Sequence, residues 1–119
     1  MSQLDTPLTD ALRSVPGMLT RPRKVAVVSG SRADYGLLRR LMGLLKSEPS
    51  IMLQVFVTGT HLSHRHGMTI TEIQADGFEV DEEIPLPLDA DGPVGLSRAM
   101  GVAVSGFGEA FARQTPDVV

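Results

Sequence analysis

The apolar run Val25-Ala26-Val27-Val28 follows Lys24, stops at Gly30 and does not alternate with polar residues. An unbroken run rich in β-branched residues predicts a strand covered on both faces, the environment of a parallel sheet. Downstream, Leu38, Leu41, Met42 and Leu45 recur at i, i+3, i+4 and i+7. That spacing builds one apolar helical face and turns Arg39, Arg40 and Lys46 to solvent. Ser31 and Asp34 stand at capping-box spacing, so the helix starts near Arg32, and Pro49 closes it. Gly43 inside it costs about 1 kcal/mol relative to alanine, a tolerable loss if a neighbour packs there. Residues 53–58, Leu-Gln-Val-Phe-Val-Thr, supply a second strand. With one helix between them, the two strands are expected to be parallel and joined by a right-handed crossover.

The pattern weakens after residue 58. A polar loop leads to a short helix over 69–75, stopped by Asp76-Gly77, and Phe78-Glu79-Val80 opens a third, more acidic strand suited to a sheet edge. Residues 85–93 form a loop. Leu96, Met100, Ala103, Phe107 and Phe111 then share one helical face that runs to Arg113. Thr115-Pro116-Asp117 breaks this helix, and Val118-Val119 reads as the start of a fourth buried strand, where a parallel sheet would receive its next central member. Residues 1–22, with Pro7, Pro16 and Pro22, read as a flexible extension with room for one helical turn around Thr9 to Arg13. Residues 23–119 are thus expected to be one α/β unit, a Rossmann-like parallel sheet with flanking helices.

Composition narrows what such a unit can do. With 42% hydrophobic and 21% charged residues, the 119-residue chain has the balance of a folded domain. It has no cysteine, which excludes disulfides, thiolate nucleophiles and thiolate metal sites and makes the cytoplasm the expected compartment. A net charge of −3 argues against general nucleic-acid or membrane-surface binding, and residues 1–22 resemble neither a signal peptide nor a span. Any phosphate site must be local.

In doubly wound sheets ligands bind beyond the carboxyl ends of the strands, which selects the loops after Val28 and Val57. The first reads Ser29-Gly30-Ser31-Arg32-Ala33-Asp34-Tyr35-Gly36. Gly30 permits close approach of a ligand, and the helix start directs amides and a positive dipole end at an anion. Neither G-x-G-x-x-G nor a Walker loop is present, so Arg32 takes the place of those fingerprints: its fork can hold two diphosphate oxygens. The same arginine could instead pair with Asp34 or another surface carboxylate, and Tyr35 could be plain core. The second loop, residues 58–67, carries His61, His64 and His66. A metal site is disfavoured because the loop holds no carboxylate. His61, nearest the strand end, could donate to a phosphate, move a proton, or simply order the loop. Asp81-Glu82-Glu83, Asp89 and Asp91 read as solvated surface. Gly101, Gly106 and Gly108 suggest close packing on the sheet or a partner.

Residues 24–38 together with Val57-Thr58-Gly59-Thr60-His61-Leu62 resemble the hydrolysing UDP-N-acetylglucosamine 2-epimerases of sialic acid biosynthesis. The likeness continues through Gly67, Thr69, Glu72-Ile73, Asp76-Gly77-Phe78, Ser97 to Gly101 and Thr115 to Val119. It implies the incomplete amino-terminal domain of a two-domain fold of the glycosyltransferase B type, without metal or nicotinamide cofactor, acting on a UDP-sugar as a homo-oligomer when full length. It also implies UDP contacts from Gly30, Ser31, Arg32 and Gly36, with Arg32 on the diphosphate and Gly36 at the nucleotide-binding helix start. His61 would line the sugar end of the cleft. The family eliminates UDP across C1 and C2 and hydrates the glycal to N-acetylmannosamine. Its Gly-Asp-Arg loop and main catalytic carboxylates would follow Val119, so residues 1–119 alone are expected to lack turnover. Relatives acting on other sugars such as UDP-diacetylbacillosamine share these motifs. A glycosyltransferase, or a non-catalytic module that binds an anion or a partner, is the alternative from another class.

Overall fold

The computed structural model describes residues 21–63, 67–88 and 92–119. The predicted turn near Thr9 to Arg13 and residues His64, His66, Asp89 and Asp91 lie outside them. Strand β1 (Arg23–Ser29), helix α1 (Arg32–Ser47) and strand β2 (Ile51–Thr58) follow one another as the pattern predicts. The strands pair in parallel from Arg23 opposite Ile51 to Ser29 opposite Val57. A 3-10 turn (Gly59–Leu62), helix α2 (Ile70–Ala75), strand β3 (Glu82–Ile84) and helix α3 (Gly92–Gln114) are the remaining elements among the described residues. The sheet runs β1, β2, β3, all parallel. Val118 makes an isolated parallel bridge to Val25 on the free side of β1. Among the described residues no helix is long and apolar enough to cross a membrane.

Both faces of the sheet are covered, as the unbroken apolar strands require. On one face Val27, Val55 and Val57 pack with Tyr35 and Met42 of α1, Ile70 and Ile73 of α2, and Phe78. On the other, Ala26, Phe56 and Ile84 pack under Ala110, flanked by Phe107 and Phe111 of α3. Each fully buried apolar side chain contributes roughly 1.5–3 kcal/mol, so these two layers hold the sheet. Gly106 is where α3 comes closest, since a Cβ there would lie 2.7 Å from the Ile84 side chain. Gly101 and Gly108 have nothing within 4 Å and play no such part. The apolar face predicted for α3 is buried only in its second half: Leu96 and Met100 are 64% and 61% exposed. Leu41 of α1 is likewise half exposed.

Three expectations are corrected. The third strand is Glu82–Ile84 rather than a strand opening at Phe78. Phe78 instead turns inward, 6.4 Å and edge-on from Tyr35, after a Schellman stop in which Gly77 at φ 92° ends α2. The acidic run is not simply solvated. The Asp81 backbone amide donates to the Val55 carbonyl at 2.8 Å, and its carboxylate accepts the Val55 amide at 2.7 Å, taking the place of a strand carbonyl. Glu82 accepts from Arg113 and Gln114 of α3, leaving Glu83 exposed. Lastly, Val118 stands at the position of a fourth strand but is 58% exposed. Its register is set by Asp117, whose carboxylate accepts both the Lys24 amide and the Arg21 guanidinium at 2.8 Å.

Candidate functional site

The carboxyl ends of β1 and β2 lie side by side, with Ser29 opposite Val57, so their loops meet as the topology demands. The contact is tight. Gly59 sits at φ 61°, and a Cβ there would come within 2.5 Å of the Gly30 carbonyl oxygen. That carbonyl also accepts from the Thr60 amide at 2.9 Å and the Thr60 hydroxyl at 3.2 Å. Only glycine fits the left-handed conformation with the other backbone so close.

Helix α1 starts on a nearly complete capping box. The Ser31 hydroxyl accepts the Asp34 amide at 3.2 Å, and the Asp34 carboxylate accepts from the Gly30 amide at 3.2 Å, one residue before the usual partner. Gly30 and Ser31 therefore frame the positive end of the helix, with a carboxylate in place. The Asp34 carboxylate thus already occupies the positive end of the helix, and the Arg32 side chain, two residues before it, is 70% exposed. Arg32 pairs with a surface carboxylate, the alternative its position left open, though the partner is not Asp34: its Nη2 donates to Oε1 of Glu72 on α2. Gly36 lies exposed on the second turn of α1 with nothing within 4 Å of a Cβ position.

His61 differs from this exposed turn in every respect. It is fully buried. Its Nε2 is 2.7 Å from the Ser29 hydroxyl and its Nδ1 2.7 Å from the Thr69 hydroxyl, both of them buried side chains. Tyr35 meets the imidazole edge-on at 6.4 Å. Burial lowers the His61 pKa, outweighing the Asp34 and Glu72 carboxylates that act the other way, so the ring is neutral at pH 7. A neutral imidazole with both nitrogens engaged orders the loop. Tyr35 is core with a polar end: burial first, and its hydrogen bond to Asp76 second, raise its pKa to about 12.

The structure thus brings Gly30, Ser31 and Arg32 together at one turn, puts His61 beneath it, and adds Ser29, Asp34, Thr69 and Glu72, which sequence reasoning did not assign to the site. The capping-box spacing signals Asp34. Nothing in the sequence pairs Glu72 with Arg32, 40 positions away.

These features define a Rossmann-like α/β unit whose first strand and turn lead to an exposed arginine at the start of a helix. A family model described as UDP-N-acetylglucosamine 2-epimerase matches residues 44–119. The chain is 41% identical over 97 residues to the UDP-N,N'-diacetylbacillosamine 2-epimerase (hydrolyzing) of Legionella pneumophila, covering 82% of this chain and 26% of that protein. It is 37% identical over 97 residues to the GDP/UDP-N,N'-diacetylbacillosamine 2-epimerase (hydrolyzing) of Campylobacter jejuni, covering 82% and 25%. It is 34% identical to the polysialic acid biosynthesis protein P7 of Escherichia coli over the same length and shares. The chain belongs to the UDP-N-acetylglucosamine 2-epimerase family, and it spans about a quarter of the length of these curated relatives.

Proposed function

We propose that this chain is the amino-terminal nucleotide-sugar-binding part of a hydrolysing 2-epimerase that acts on a 2-acetamido UDP-sugar. One observation carries the reading: an exposed arginine at the start of a helix, at the carboxyl end of the first strand of a parallel sheet. Arg32, with the Gly30-Ser31 turn, binds the diphosphate and stabilises the charge that gathers on UDP as it leaves C1. Gly36 leaves room along the same helix.

The reaction removes the C2 proton, expels UDP from C1 and adds water to the glycal. It needs a base and an acid near the sugar. His61, enclosed between Ser29 and Thr69, fits neither role and acts by holding the loops. The family resemblance assigns the acid and base to carboxylates of the full-length protein, whose expected architecture is two facing Rossmann-like domains. UDP-N-acetylglucosamine is the first substrate to test. UDP-diacetylbacillosamine is the second, because two relatives of 41% and 37% identity carry that name.

Full-length protein incubated with each sugar in deuterium oxide tests the reading. UDP release with deuterium at C2 of a free manno-configured product is expected, with no acceptor required. UDP release that depends on an added sugar acceptor would make the protein a transferase instead.

A further inference from the structure

We infer that Ser29, His61, Thr69 and Glu72 form a positioning ring for Arg32, so that α2, rather than α1 alone, sets the direction of the guanidinium. This rests on the reading of Arg32 as the diphosphate ligand. The ring closes through contacts already described: Ser29 ends β1 and bonds His61, His61 bonds Thr69 at the start of α2, and Glu72 one turn later pairs with Arg32. Arg32 lies three residues from Ser29, where the ring began.

Three features show that the placement of α2 is imposed. Thr69 is the N-cap residue of α2, yet its hydroxyl makes no capping bond and is spent on His61. An unmade cap costs about 1 kcal/mol, which the buried bond to a neutral imidazole offsets. Just before it, Gly67 at φ 85° and Met68 at φ 48° turn the chain back toward His61. A left-handed non-glycine residue persists only where its surroundings over-determine it. At its other end α2 is tied to α1, since Asp76 accepts from Tyr35 and Arg39. A six-residue helix held at both ends has little freedom to rotate, so Glu72 is fixed relative to Arg32.

The magnitudes suit positioning rather than locking. The Arg32 and Glu72 side chains are 70% and 44% exposed, and exposed pairs are weak, whereas a charge-assisted bond to phosphate is stronger. The contact occupies Nη2 on one side, leaving the rest of the planar fork to meet a diphosphate. Glu72 therefore aims the fork without withholding it.

The sign of one substitution separates this from plain electrostatics. Removing a carboxylate near a dianion should tighten binding if charge is all that matters. The ring predicts the reverse: Glu72→Gln in the full-length protein weakens UDP binding by roughly three- to ten-fold. Thr69→Val, which deletes the hydroxyl at nearly constant volume, does the same, and Thr69→Ser restores wild-type affinity. Calorimetric titration with UDP should show both losses vanish in an Arg32→Ala background, because they act through that side chain. Tighter binding by Glu72→Gln, or losses that persist undiminished in Arg32→Ala, would overturn the ring while leaving Arg32 as a ligand. Unchanged affinity in Arg32→Ala alone would remove the diphosphate reading and the ring with it.

Discussion

The loops that end β1 and β2 share the Gly30 carbonyl as a contact but present opposite chemistry. The first exposes a guanidinium at a helix start. The second folds its imidazole completely inside. Both reactive-looking residues follow a strand and a glycine in the sequence, so position at a strand end does not decide which side chain meets solvent. The partners decide. Arg32 finds an exposed carboxylate across a gap between helices, whereas His61 finds two buried hydroxyls that fit both ring nitrogens. The first loop thus keeps its cation at the surface, as the proposed diphosphate site requires, and the second holds the first in place.

If that contrast is right, substitutions should split into those that destabilise and those that weaken binding. His61→Ala should have the largest effect on stability, about 3 kcal/mol by chemical denaturation, because it opens a cavity and strands two buried hydroxyls. A loss under about 1 kcal/mol would mean that the loop is ordered by other contacts. Gly59→Ala comes next. A methyl group placed 2.5 Å from the Gly30 oxygen at φ 61° should cost at least about 2 kcal/mol and perturb the turn. Neutral behaviour would show that the two loops can separate without penalty.

A smaller effect should appear with pH. The folded chain holds His61 at a lowered pKa while the unfolded chain titrates it near about 6.5, so below that pH the unfolded state takes up a proton the folded state refuses. Stability therefore falls as pH drops from 7.5 towards 5.5, and His61→Gln should flatten that slope. Asp117 and Glu82 are held below the ordinary carboxylate range, chiefly by Arg21 and Arg113. Their contribution is also lost on acidification, but only below about pH 4.5. A slope unchanged in His61→Gln would assign the titration to other groups.

How much of this was legible in the sequence follows from how local each cause is. β1, α1 and β2 come from apolar patterns within one segment, and the Ser31 cap from a partner three residues away, so these were readable. The third strand was misplaced because Asp81 uses a side-chain oxygen where a strand would use its backbone, which no periodicity reveals. Half of the apolar face of α3 is exposed, since periodicity marks a face without saying how far the sheet extends beneath it. At the site, Gly30, Ser31 and Arg32 were readable as a turn followed by a helix start. The enclosure of His61 was not, because Ser29 stands 32 residues away and reaches it only through the β1 and β2 pairing.

Arg32→Ala should change stability least, within about 0.5 kcal/mol, since an exposed ion pair is all that the fold loses. It is also the substitution that bears most directly on the proposed UDP site. Titration of UDP into full-length protein by calorimetry, alongside denaturation of the same samples, should show affinity weakened roughly ten- to a hundred-fold at unchanged stability. UDP binding equal to that of the wild type would contradict the diphosphate site at the β1–α1 turn.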